Sequence, residues 1–125
     1  MANPPNSFRM RTPQTFLFAV KEGDVDSVRE HLDGAFDQIN YAEPETGLTA
    51  LHYAAAYDAR VVLKLLIATG KCDYHARDRK GRTAATLAFE VADNPAVGRL
   101  LYKKMAQTAD DLAPHPGSIQ RSRNR

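Results

Sequence analysis

The chain has no tryptophan, a single cysteine and no long apolar run, and each shortage excludes something. With Cys72 alone, no intramolecular disulfide can form, so a reducing compartment suits the protein and the cytoplasm is its expected location. No apolar stretch approaches the roughly 20 residues that a helix needs to span a bilayer, so no membrane partner is expected. Met1 to Arg11 carries prolines and arginines but lacks the apolar stretch of a secretory signal. Delivery by a secretion system that reads other cues would leave the same sequence.

Catalytic signatures are missing too. The sequence holds no G-x-S-x-G elbow, no phosphate-binding G-x-x-x-x-G-K, no G-x-G-x-x-G and no H-E-x-x-H. Neighbouring carboxylates occur at Asp24/Asp26 and Asp110/Asp111, but they fall in a helix start and a polar tail, where solvated charge is the default. Cys72 and His75 have the C-x-x-H spacing of two zinc ligands, without the second pair a structural site needs. His31 is expected on a solvated helix face and His115 in the tail. The reading is no enzyme, no metal and no cofactor.

What the chain does have is an uneven charge. Its formal net charge is +2, yet residues 1–46 hold four basic and eight acidic side chains, while residues 47–106 hold ten basic and five acidic. One end is acidic and the other basic.

It also has a pattern. Gly47-Leu48-Thr49-Ala50-Leu51-His52-Tyr53-Ala54-Ala55 places a glycine, then a capping threonine, then a short helix of small apolar residues. Asp58-Ala59 forms a break, and a second helix from about Arg60 to Thr69 carries the stripe Val62, Leu65 and Leu66 before Gly70 stops it. After Ala76-Arg77-Asp78-Arg79-Lys80-Gly81 the pattern restarts, with Gly81 and Thr83 standing 34 residues after Gly47 and Thr49. A second helix beginning at Pro95, capped by Asn94, repeats the stripe as Val97, Leu100 and Leu101. Upstream, Phe16, Phe18, Ala19 and Val20 form an apolar helix behind Pro13. Glu22-Gly23-Asp24 breaks it, and Val25, Val28 and Leu32 line a helix that Gly34 ends.

The central stretch resembles the G-x-T-P-L-H-x-A-A signature of the ankyrin repeat, with Gly47, Thr49, Leu51, His52, Ala54 and Ala55 in register and Ala50 in place of the proline. Ala76 to Gly81 resembles the family's A-x-D-x-x-G hairpin turn, and Ala19 to Val25 its A-A-x-x-G-H-L junction. The first repeat lacks the T-P-L-H segment, and the third has Thr86 where the family has histidine. The resemblance implies an all-α repeat fold, an ankyrin solenoid of stacked helix-turn-helix units with hairpin-like connecting loops. Its expected boundaries are an N-terminal arm at 1–11, repeats at about 12–46, 47–80 and 81–106, and a disordered tail at 107–125. In that family the histidine of the signature bonds to neighbouring turn backbone beside the threonine, so His52 is structural, together with Gly47, Thr49, Leu51, Ala54, Gly70, Gly81 and Thr83.

The resemblance also implies the activity. Such repeats bind other proteins through hairpin tips and the concave face of the first helices, because those positions are not needed for stacking. Carried over, the face comprises Leu48, Tyr57 and Glu90 with the basic cluster Arg77, Arg79, Lys80 and Arg82; Lys21, Glu22, Glu45, Thr46, Ala56 and Val91 adjoin it. Tyr57 is the expected anchor. The expected partner is a protein with an acidic patch, bound by a monomer. Two rival readings are nucleic-acid binding through the basic half and the tail arginines Arg121, Arg123 and Arg125, and a secreted effector directed at a host. No aromatic side chains interleave with the basic ones, which weighs against nucleic acid.

Overall fold

A computed structural model of the chain describes residues 12–33 and 36–112, with side chains as far as Thr108. The arm at 1–11, Gly34, and the segment from 113 onward, with His115 and the three tail arginines, lie outside the described residues.

Among the described residues six helices follow in three pairs: α1 (Pro13–Glu22) with α2 (Val25–Leu32), α3 (Ala50–Ala56) with α4 (Arg60–Ala68), and α5 (Ala84–Glu90) with α6 (Pro95–Leu112). Each inner helix starts on a threonine. Thr12, Thr49 and Thr83 accept the backbone N–H three residues on, and Thr12 and Thr49 complete capping boxes with Thr15 and His52. Asp24 caps α2 through Ser27, and Asn94 caps α6 through the Val97 N–H. The turns between paired helices need a left-handed residue, supplied by Gly23 at φ 69° and by Asp58 and Asp93 at φ 55° and 52°.

The pairs stack in two layers. α1 packs on α3 and α3 on α5, while α2 packs on α4 behind them. The outer helices begin 35 residues apart (25, 60, 95), so equivalent positions can be compared directly. At the seventh position stand His31, Leu66 and Leu101, all buried, and at the fourth Val28, Leu63 and Gly98, also buried.

That register corrects three expectations. In α4 the buried residues are Val62, Leu63 and Leu66, whereas Leu65 is only half-buried. In α6 Leu101 is buried, Val97 half-buried and Leu100 42% exposed. Leu65 and Leu100 share the sixth position of an outer helix, where Leu65 packs only partly against the core and Leu100 is exposed. His31 is not solvated: it is 4% exposed, packed against the rings of Phe16 and Phe36. Its Nδ1 donates to the Ser27 carbonyl at 2.8 Å and its Nε2 lies 2.8 Å from Thr15 Oγ1. It occupies the place that leucine fills in the other repeats, with both ring nitrogens satisfied.

The last helix does not stop at Ala106, the expected end of the third repeat, but runs to Leu112. Between Gly98 and Pro114 the sequence holds neither glycine nor proline, so nothing breaks the helix before then. His75 also anchors it, with Nε2 donating to the Met105 carbonyl at 2.9 Å and lying 3.1 Å from Thr108 Oγ1.

Candidate partner-binding face

Two loops project beyond the inner helices, and each closes on itself as a hairpin-like turn. In the first, the Glu43 N–H donates to the Leu48 carbonyl at 2.9 Å; in the second, the Asp78 N–H donates to the Arg82 carbonyl, also at 2.9 Å. Gly47 and Gly81 turn these tips at φ 76° and 78°. The tips are also joined to each other. The Arg79 N–H donates to the Thr46 carbonyl at 2.9 Å, and Arg79 Nε donates to the Pro44 carbonyl at 2.9 Å. This approach is close enough to demand glycine: a Cβ on Gly47 would lie 2.9 Å from the Arg79 nitrogen.

The four cations of the second tip are gathered there, but they do different work. Arg82 is half-buried and forks onto Asp78, with Nε and Nη2 at 2.8 and 2.7 Å from Oδ2. Arg79 is held by the first tip, and Arg77 reaches the Gly81 carbonyl within its own. Lys80 is exposed at the apex. Their common organiser is Asp78, whose Oδ1 also accepts the Lys80 and Arg82 N–H groups at 3.0 and 2.8 Å. Burial alone would push its carboxyl up, but the Arg82 guanidinium and those N–H donors outweigh burial and hold it below the usual range. Asp78 was part of the A-x-D-x-x-G pattern, yet the sequence reading gave the cluster to its cations alone.

His52 ties the tip to the helices. The Thr49 N–H donates to its Nδ1 at 3.1 Å, so Nε2 carries the proton and donates to the Arg82 carbonyl at 2.9 Å. Burial keeps this imidazole neutral by lowering its pKa. Leu51 and Ala54 are buried with His52, and Gly70, at φ 69°, closes α4.

Beside the tips runs a network that the sequence reading missed. Lys21 Nζ from α1 lies 2.7 Å from Glu43 Oε2, and the Tyr53 hydroxyl from α3 donates to Glu43 Oε1 at 2.5 Å. Lys21 also sits 4.8 Å above the Tyr53 ring. These bonds, from Lys21 first and Tyr53 second, hold the Glu43 carboxyl below its ordinary range. The three residues are 22 and 10 positions apart around Glu43, with no local spacing to betray them; only repeat stacking brings them together. Tyr53 in turn packs on Tyr57, with ring centroids 5.8 Å apart, and Tyr57 is 56% exposed. Leu48 is half-buried against the core, while Glu90 and Val91 are exposed at the end of α5.

Cys72 and His75 do not face a common ligand. The Cys72 thiol is buried, donates to the Leu66 carbonyl at 3.3 Å and has its pKa pushed up to about 12 by burial. His75 is turned to α6. Among the described residues, no group of three His, Cys, Asp or Glu side chains is placed to hold a metal ion.

Comparison with known proteins gives two results. The family profile of ankyrin repeats matches residues 16–111 as three copies. The chain is also 38% identical over 77 residues to diacylglycerol kinase iota of Mus musculus; the shared stretch is 61% of this chain and 7% of that protein. The chain thus spans a small fraction of the curated relative it matches.

Proposed function

This chain belongs to the ankyrin-repeat family, whose members are protein-protein interaction modules, and we propose that it binds a partner protein through its two tips and the adjoining surface of α1, α3 and α5. What carries this reading is the rigid pairing of the tips. Two bonds from Arg79 fix one tip against the other, and Asp78 fixes the shape of the second, so little conformational freedom remains to be lost on binding. On such a surface Tyr57 serves as the apolar anchor. Lys80, with Arg77 and Arg79 beside it, meets an acidic patch on the partner and raises the rate of encounter. Glu90 and Leu48 flank the contact. The face is complete within one chain, so a monomer suffices for capture. No step of bond making or breaking is involved, and the single cysteine suits work in the cytoplasm. No helix among the described residues is long and apolar enough to cross a membrane.

The test is affinity capture from a native lysate, with and without nuclease, using the whole chain beside Tyr57→Ala and Lys80→Glu. These two side chains are exposed and lie apart from the bonds that shape the tips. Loss of one discrete protein from both variants supports the reading. Retention of that protein by both overturns the face assignment, and capture that vanishes with nuclease transfers the surface to nucleic acid.

A further inference from the structure

The two ends of the helix stack each expose an aromatic side chain among charges of opposite sign. We propose that copies of this chain associate head to tail, the first repeat of one copy seating on the last repeat of the next.

At the first end Phe18 is 64% exposed on α1, with Glu22 one turn further along the same side. A groove of about 390 Å³ opens beside them between α1 and α2, lined by Phe18, Ala19, Glu22, Asp24 and Ser27. Asp26 and Glu30 extend the acidic surface on α2. Of the two cations of this repeat, Lys21 is drawn away from it by Glu43, and Arg29, 3.9 Å from Asp26, offsets that carboxylate alone. Glu22 and Glu30 are left without an ion pair among the described residues.

At the last end the Phe89 ring lies over Gly98, where a Cβ would come within 2.5 Å of it. Tyr102 packs against Phe89 at 5.5 Å between centroids and remains 47% exposed. Arg99 is three residues before Tyr102 on the same face, and Lys103 and Lys104 follow it. No carboxylate occurs from Pro95 to Thr108. The result is an aromatic plate with cations around it, facing away from the stack.

An exposed aromatic among carboxylates and an exposed aromatic plate among cations are complementary, and both belong to one chain. Apolar contact would supply the attraction, and the opposite charges would select this pairing over end-to-identical-end contact, which sets like charges together. Because the contact uses two different surfaces, each added copy leaves one of each exposed, so association does not close at two.

Sedimentation velocity on the whole chain, from micromolar to millimolar concentration at low and high salt, tests this. The expected result is mass that grows with concentration in steps of 13.8 kDa, passes two copies, and falls back as salt is added. Glu22→Lys and Lys103→Glu, both at exposed positions, should each weaken association by about tenfold. The double variant carries the swapped but still complementary pair and should recover it. A single species of 13.8 kDa throughout overturns the proposal. So does association that stops at a dimer, or a double variant no better than the singles.

Discussion

Replacing Asp78 by alanine should cost far more than its position on a loop suggests. The side chain is 1% exposed and accepts four hydrogen bonds: the Lys80 and Arg82 N–H groups at 3.0 and 2.8 Å, and the Arg82 guanidinium at 2.8 and 2.7 Å. A hydrogen bond to a charged group contributes about 1.5–3 kcal/mol net, and donors left buried without a partner add to the loss. Water can replace the carboxylate for part of this set, because the Arg82 side chain is 29% exposed. The expected destabilisation is therefore about 2–4 kcal/mol, well short of the sum of four bonds. In a domain of this size that lowers the melting midpoint by roughly 4–8 °C per kcal/mol. Asp78→Asn, which keeps an acceptor for the N–H groups but not the charge, should fall between wild type and alanine. The assay is urea denaturation followed by circular dichroism, with hydrogen exchange reading the amides of Arg79 and Arg82. The damage should reach Arg79 because its N–H bonds to Thr46 only while the second tip keeps its shape. A change below about 0.5 kcal/mol, the range of ordinary surface substitutions, would refute the assignment of Asp78 as organiser of the tip.

Gly47→Ala should destabilise by more than Gly70→Ala in the same denaturation assay: both sites have positive φ, but a Cβ at Gly47 meets the Arg79 backbone at 2.9 Å and one at Gly70 meets nothing within 4 Å. Leu66→Ala should cost about 2–5 kcal/mol, and Leu65→Ala roughly half that or less, a ranking that equal losses would contradict. His52 is held neutral with a folded pKa below its unfolded value of 6.5, so the unfolded chain binds the extra proton first. Its contribution is therefore complete above pH 6.5 and is lost as pH falls from there toward the folded pKa; a urea midpoint series from pH 8 to 5 should drop less steeply in His52→Gln. Cys72, with its thiol pushed up to about 12, should resist a disulfide reagent at pH 8 until urea unfolds the chain, and prompt reaction of the native protein would count against its burial.

The helices were legible because their signals are local. The Thr49 cap, the Gly70 stop and the spacing of Val62 and Leu66 are all settled within one or two turns, and the structure keeps them. Errors arose where a residue's fate depends on the neighbouring repeat. Leu65 and Leu66 are equally apolar, and only the packing of α4 between its neighbours decides which is buried. His31 looked like a solvated polar residue on α2, but aligning the outer helices at 35 residues sets it beside Leu66 and Leu101, and that comparison was available in the sequence. The Lys21–Glu43–Tyr53 network offered no such clue, since its members come from two repeats and the loop between them.

The same distinction separates the cations of the second tip. A run of Arg77, Arg79, Lys80 and Arg82 reads as one basic patch when only charge is counted. Geometry divides it into a fork on Asp78, a strut to the first tip, a brace within the turn and an exposed apex. Reversing all four together would therefore confound lost recognition with a deformed tip, since Arg82 and Arg79 shape the surface they would also present. The surface we propose for a partner is what remains after those bonds are made, the exposed side chains of Lys80 and Tyr57. Specificity in such an arrangement comes from rigid spacing between a charge and an aromatic anchor more than from the number of cations.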